Sequence, residues 1–286
     1  MGNGRLLHIL FPLSLLVVIP FACGWGYDGH IVICRIAQAH LSKVAAQAVR
    51  KLMPNNAKGD LGIICPWADT IKYRYRWSSD LHFVNIPDHL CTYKYNRDCI
   101  GRNGDKGRCL AGAINNYTAQ LTYKKHQCNY NNLTEALLFL SHFIGDIHQP
   151  LHVAYKSDKG GNTIKVMWFT RKQSLHHVWD TDIIRTWEGG LNASKVDGLT
   201  KGILQKINTK WKWQIHEWGV CSSYQKTCPN VYASESIKAA CEWAYKGVHS
   251  GSILKEDYYR TRLPIVELRI AQAGIRLAAT LNRIFT

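Results

Sequence analysis

Four stretches of the chain repeat apolar residues at three- and four-residue steps, the spacing that lines one face of a helix. Cys34 to Met53 is alanine-rich and stops at Pro54, and Leu133 to Ile147 is strongly apolar and stops before Pro150. Thr200 to Trp218 sets Ile203, Leu204, Ile207, Trp211 and Ile215 on one stripe. Pro264 suits a first helical position, and behind it Ile265, Leu268, Ile270, Ile275, Leu277 and Leu281 carry the pattern to about Phe285. That segment also holds Glu267, Arg269, Arg276 and Arg283, so it reads as a helix docked on a core and not as an anchor in lipid. Only Asn162 to Thr170, behind the Gly160-Gly161 pair, reads as strand or hairpin. No repeat, low-complexity tract or linker divides the chain. The pattern predicts a mainly α-helical single domain with a small β-hairpin.

The N-terminus stands apart. Arg5 precedes the apolar run Leu6 to Ala22, broken by Pro12 and Pro20, and Ala22-Cys23-Gly24 puts small residues where a signal peptidase needs them. Residues 1–24 therefore read as a secretory signal peptide, leaving residues 25–286 as the working domain, secreted or vacuolar, with Trp25 first. No later stretch approaches the roughly 20 uninterrupted apolar residues of a spanning helix. Within 286 residues, 46% hydrophobic content suffices for a real core and argues against disorder. Cleavage would remove one of ten cysteines and leave an odd nine in an oxidising compartment. Spacing alone supports one pairing, Cys221 with Cys228 across a short polar loop, and leaves the others open. The sequons at Asn116, Asn132 and Asn192 are expected glycosylation sites. Losing Arg5 lowers the net charge from +16 to +15, which attracts polyanions: nucleic acid, anionic membrane or cell-wall polysaccharide. Charge does not choose among them.

Candidate chemistry lies in histidines and aspartates. His142 and Asp146 are four apart near the end of an apolar helix, which puts imidazole and carboxylate on one face, and His152 follows just beyond Pro150. His176 and Asp180 repeat the spacing. One such pair is an ordinary surface contact. Two, with His152, His30 and His82 in apolar or aromatic settings, are costly to bury unless a cation neutralises the carboxylates. Imidazole with carboxylate and no thiolate favours zinc. The chain shows no CxxC pair, Gly-rich phosphate loop or Gly-x-Ser-x-Gly elbow, which excludes thiolate zinc fingers, P-loop enzymes and serine hydrolases of that type.

Six motifs in order, Trp25-Gly-Tyr-Asp-Gly-His30, Trp67-Ala-Asp69, Leu81-His-Phe-Val-Asn85, His142 to His152, Gly160-Gly-Asn162 and Leu175-His-His-Val-Trp-Asp180, give the chain a resemblance to a known family. It resembles the plant bifunctional nucleases, zinc-dependent single-strand nucleases of the nuclease S-one/P-one type, over essentially all of residues 25–286. The resemblance implies a helical fold shared with bacterial zinc phospholipases C and three zinc ions per chain. One would take Asp69, His82, His142 and Asp146. A second would take His152, His176 and Asp180. The third would take His30, the shared Asp146, and the free amine and carbonyl of Trp25, so that signal cleavage completes the site. It implies a single-strand-preferring endonuclease acting on DNA and RNA and also on 3′-nucleotides, monomeric and without stable membrane association. Asp69 and Asp146 would be the catalytic carboxylates, a hydroxide activated by the zinc cluster would attack, and products would carry 5′-phosphates.

By the same resemblance Phe83 stacks a base, Asn85 reads base edges and Asn162 lies near the scissile phosphate. The run Lys72-Tyr-Arg-Tyr-Arg-Trp77 suits a phosphate track with stacking rings but equally a solvated helix face. The implied disulfides are Cys34 with Cys65, Cys91 with Cys241, Cys99 with Cys109 and Cys221 with Cys228, leaving Cys128 over. His148 and His177 are given packing or supporting roles. Ser174, Asp80 and Asn96 depart from the family pattern without touching a proposed ligand. Two other readings share some of these features: a zinc phospholipase C, which the basic charge and Phe83 disfavour, and a non-catalytic metal- or glycan-binding protein.

Overall fold

A computed structural model of the chain describes residues 25–123, 130–187, 193–222 and 224–286. The expected signal peptide, Cys128 and Asn192 lie outside the described residues. The alanine-rich stretch is two helices, Tyr27–Ala39 and Lys43–Leu52, where the periodicity predicts one from Cys34 to Met53. The break is held from both sides. Ser42 accepts the Ala45 amide on its hydroxyl at 3.2 Å, a helix N-cap. Asn282, distant in sequence, takes the Ser42 amide on its side-chain oxygen at 2.8 Å and donates to the His40 carbonyl at 3.1 Å.

A second break divides the segment read as one helix over Thr200–Trp218. It becomes Ala193–Asn208 and Ile215–Gly219. The buried rings of Trp211 and Trp218 meet at 5.9 Å, whereas seven residues of straight helix would separate them by about 10 Å along the axis. Ring burial overrides the period.

The last helix runs Glu256–Ile284, two turns longer than Pro264 as a first position allows. Tertiary contacts hold that extra start: the buried Tyr258 hydroxyl donates to the Ala244 carbonyl at 2.9 Å and accepts from Trp179 Nε1 at 2.8 Å. This helix packs most extensively on Tyr27–Ala39, and a Cβ at Gly274 would stand 2.5 Å from Ile36 Cγ2, so glycine permits the close approach. Arg269 and Arg276 are buried against Glu235 of the helix Pro229–Ala239, at 2.7 Å for both Arg269 Nη1 to Oε2 and Arg276 Nη2 to Oε1. No helix among the described residues is long and apolar enough to cross a membrane.

Strand content exceeds the one expected hairpin. β1 (Val84–Ile86) and β2 (Val153–Tyr155) pair in parallel, Val84 opposite Val153. β3 (Lys165–Trp168) and β4 (Arg171–Ser174) form a hairpin whose second strand lies beyond the expected Asn162–Thr170, and β5 (Ile253–Leu254) adds to β3 in parallel. Strands of two or three residues are too short to carry a legible alternation. Among the described residues four disulfides staple the frame, and they are the four pairs the resemblance implies: Cys34–Cys65, Cys91–Cys241, Cys99–Cys109 and Cys221–Cys228.

Candidate metal centre

Six segments converge on one buried cluster. His30 comes from the helix Tyr27–Ala39, Asp69 from the short helix Trp67–Ile71, and His142 and Asp146 from the last turns of Tyr130–Asp146. The parallel β1–β2 pair then does decisive positioning, because His82 and His152 each stand just ahead of a paired strand and registration brings them together. His176 and Asp180 sit on the following helix, which widens into a π-turn over Val178–Asp182, a deviation common at functional sites.

Asp146 is at the centre. Its Oδ1 lies 3.2 Å from His30 Nε2, and its Oδ2 lies 2.9 Å from His82 Nδ1 and 3.1 Å from His142 Nε2. Asp69 Oδ1 stands 3.6 Å from His142 Nε2 and 3.7 Å from His82 Nδ1. On the far side, His176 Nε2 is 3.2 Å from Asp180 Oδ2 and 3.2 Å from His152 Nε2. Three groups of donors result, His30/His142/Asp146, Asp69/His82/His142 and His152/His176/Asp180, all buried. The first two share His142.

Three of the imidazoles are held from behind by main-chain carbonyls. His142 Nδ1 donates to Cys65 at 2.8 Å, His152 Nδ1 to His82 at 2.7 Å and His176 Nδ1 to Gly160 at 2.6 Å. A proton fixed on Nδ1 leaves the Nε2 lone pair facing inward, the arrangement metal-bound histidines use. Gly160 permits this: its φ is +64°, and a Cβ there would lie 2.3 Å from the Leu151 carbonyl oxygen. His30 stacks on His142 at 3.9 Å, and a Cβ on Gly145 would come within 2.8 Å of the His30 ring.

These residues fit a set of divalent cations on the structure's own showing. Both ring nitrogens of His30, His82 Nε2 and Asp146 Oδ1 are buried without a hydrogen-bond partner. His152 Nε2 and His176 Nε2 face each other at 3.2 Å, so a proton or a metal cation must lie between the two ring lone pairs. Two nitrogens bound at zinc distances around a tetrahedron lie about 3.3 Å apart. Electrostatics agree. Burial opposes charge on His142, yet Asp146 and Asp69 outweigh it and hold its pKa up at about 8; His176 is raised in the same way by Asp180. Burial pushes His30 and His152 down. Asp146 stays well below the usual carboxylate range despite burial because His142 and His152 face it.

Around the cluster the other expected site residues take distinct places. Trp25 is fully buried, and the amide of Gly26 donates to the Asp180 carbonyl at 2.7 Å, tying the start of the described chain to the segment that carries a donor. Extended backbone at Phe83 (φ −148°) turns Phe83 and Asn85 to the half-exposed side of β1 while Val84 and Ile86 face the core. Asn162 lines a cavity of about 730 Å³ with His176 and Asp180. His148 stays outside the donor groups: its Nδ1 donates to the Ile144 carbonyl at 2.7 Å and its Nε2 accepts from Arg276 at 3.0 Å. His177 approaches Asp182 at 4.0 Å. Ser174 accepts the His177 amide at 3.2 Å and so caps this helix. Of the sequons, Asn116 is exposed and Asn132 falls in the first turn of Tyr130–Asp146.

The family model for S1/P1 nucleases matches residues 25–286. The chain belongs to the S1/P1 nuclease family. Endonuclease 2 of Arabidopsis thaliana is 54% identical over 292 aligned positions, covering 100% of both chains. Nuclease P1 of Penicillium citrinum is 33% identical over 276, covering 91% of this chain and 97% of its own. Nuclease S1 of Aspergillus oryzae is 30% identical over 288, covering 96% and 97%. Set among S1/P1 nucleases, two residues stand out that the motifs include but do not mark as partners of the donor carboxylates. Lys72, nearly buried, places Nζ 3.1 Å from Asp69 Oδ1; its signal was the three-residue helical step from Asp69. Gln149 donates to Asp180 Oδ1 and accepts the Leu151 amide at 2.5 Å, bracing the carboxylate.

Proposed function

We propose that this chain is a secreted, zinc-dependent, single-strand-preferring endonuclease that hydrolyses DNA and RNA phosphodiesters to 5′-phosphate products and also acts on 3′-nucleotides. The observation that carries the reading is the set of three buried donor groups, two of them sharing His142, in a chain whose relatives are named endonucleases and nucleases. Asp69, His82, His142 and Asp146 would hold one zinc, His152, His176 and Asp180 a second, and His30 and Asp146 a third with the amine and carbonyl of Trp25. The geometry also sets His142 beside His30, and signal cleavage before Trp25 supplies the last donors. Bound zinc contributes Lewis-acid activation of water and of phosphodiester oxygens.

The protein's own groups supply position and charge. Asp69, at the cluster edge with its Oδ1 against Lys72, accepts a hydrogen bond from the attacking water and aims its lone pair at phosphorus. Lys72 offsets negative charge gathering on the phosphate. The water oxygen bonds to phosphorus as the bond from phosphorus to the 3′ oxygen breaks; the water gives up a proton on the Asp69 side, and the 3′ oxygen takes up a proton and leaves as the alcohol on the side of His152, His176 and Asp180. Phe83 offers a sequence-tolerant stacking face, which suits an unpaired base, and Asn85, two positions on along the same side of β1, meets the base edge with donor and acceptor.

Metal analysis of the protein beginning at Trp25, beside cleavage of single-stranded DNA, tests this. Three zincs and 5′-phosphorylated products are expected, both reduced when one residue is added ahead of Trp25. Bound zinc with no cleavage of DNA or RNA would sink the nuclease reading.

A further inference from the structure

The cavity beside His176 and Asp180 has a wall that the metal groups do not explain. Period-two alternation along the β3–β4 hairpin turns Val166 and Trp168 into the core, at 3% and 1% exposure, and turns Lys165, Met167, Lys172 and Ser174 outward. Lys165 lies opposite Ser174 and Met167 opposite Lys172, so the two lysines form a diagonal cross-strand pair about 7–8 Å apart. Both line the cavity, together with Lys159, Asn162 and His177. Lys159 stands one residue before Gly160, the carbonyl that anchors His176, so one turn sets both the lysine and the metal donor. Lys165 donates to the Asn162 carbonyl at 3.0 Å, which ties it to the same turn. Asp180 is the single carboxylate among the cavity's lining residues, and Gln149 engages it.

An open cavity with three exposed lysines, next to a cation-binding group, selects an extended polyanion over a single phosphate. We propose that Lys159, Lys165 and Lys172 hold the phosphates that flank the scissile one, so that the outer face of this hairpin is the track along which a polynucleotide strand leaves the metal groups. The track gives the enzyme its preference for a strand over an isolated phosphodiester. The inference rests on the nuclease reading and adds to it the residues that recognise chain length.

The test compares an oligothymidylate with a dinucleoside monophosphate, which carries one phosphodiester and no flanking phosphate. Zinc-loaded protein is assayed as wild type, as the combined Lys159→Gln, Lys165→Gln, Lys172→Gln variant, and as the matching Lys→Arg variant, with thermal melting to verify the fold of each. The glutamine variant should raise KM for the oligonucleotide by about 10-fold or more with kcat preserved, and leave the dinucleotide unchanged. The slope of log kcat/KM against log salt for the oligonucleotide should flatten by about 2, close to 0.7 for each lost contact with a single strand. Arginine should restore wild-type values. Equal loss on both substrates would overturn the proposal, because the lysines would then serve the metal groups or the fold. Unchanged oligonucleotide kinetics would overturn it too, since the strand would run elsewhere. Wild-type protein that cleaves neither substrate would bring down the nuclease reading, and the track with it.

Discussion

Asp146 turns one oxygen to His30 and the other to His82 and His142, so two donor groups lean on one carboxylate. Replacing it with asparagine should lower zinc content by more than one ion per chain, whereas Asp180→Asn should lower it by one; metal analysis of the two variants distinguishes shared from private ligation. Gln149→Ala removes the brace on Asp180 and leaves the donor set intact, and a supporting contact of that kind is worth about 10–100-fold in metal affinity or activity, readable by competitive chelation. Protons compete at the same residues. In metal-free protein His142 has its pKa raised to about 8, so its charged form stabilises the fold fully below about 6.5 and that contribution is lost as pH rises through about 8. His176 acts in the same direction. Zinc requires the neutral rings, so the melting-temperature gap between loaded and stripped protein should widen from pH 6.5 to 8.5 in calorimetry. The donors themselves were legible, because i, i+4 His/Asp pairs and ordered motifs announce them. Their anchors were not: the carbonyls of Cys65, His82 and Gly160 could belong to any residue type, and nothing in the sequence marks which imidazole each will hold.

Elements deliver these residues through a few close fits. At Gly160 an added Cβ would run into the Leu151 carbonyl at a φ that disfavours side chains, so Gly160→Ala should displace the acceptor of His176 and weaken binding at His152, His176 and Asp180. Zinc titration of that variant should show one weakened site beside unchanged ones. The Cys34–Cys65 bridge spans 31 residues and joins the helix carrying His30 to the turn whose carbonyl holds His142. Replacing both cysteines by alanine should cost about 4 kcal/mol in denaturant unfolding, on the chain-entropy account. Helices were legible from their apolar spacing; where they stop was not. The gap at His40–Ser42 depends on Asn282, and the interruption after Asn208 on two tryptophans folding together, both tertiary events with no local signature. The β1–β2 pair escaped notice because three residues are too few for a period.

Across the whole molecule, the last helix fastens the frame from behind the site. Glu235 stands between Arg269 and Arg276, and Arg276 reaches on to His148, two positions past Asp146. Glu235→Ala would leave two buried guanidiniums without their carboxylate and should destabilise the protein by about 3–5 kcal/mol in guanidinium or urea unfolding, with zinc content unchanged in the folded state. A different consequence follows from β1 lying beside β2. Strands separated by some seventy residues of chain must register before His82 and His152 stand together, and pairing over such a span closes late in folding. No earlier, half-assembled chain presents the donors in one place. Zinc capture during refolding therefore works as a stopwatch for this one long-range event: followed with a metal indicator, it should lag the recovery of helical signal and keep pace with the burial of the tryptophans.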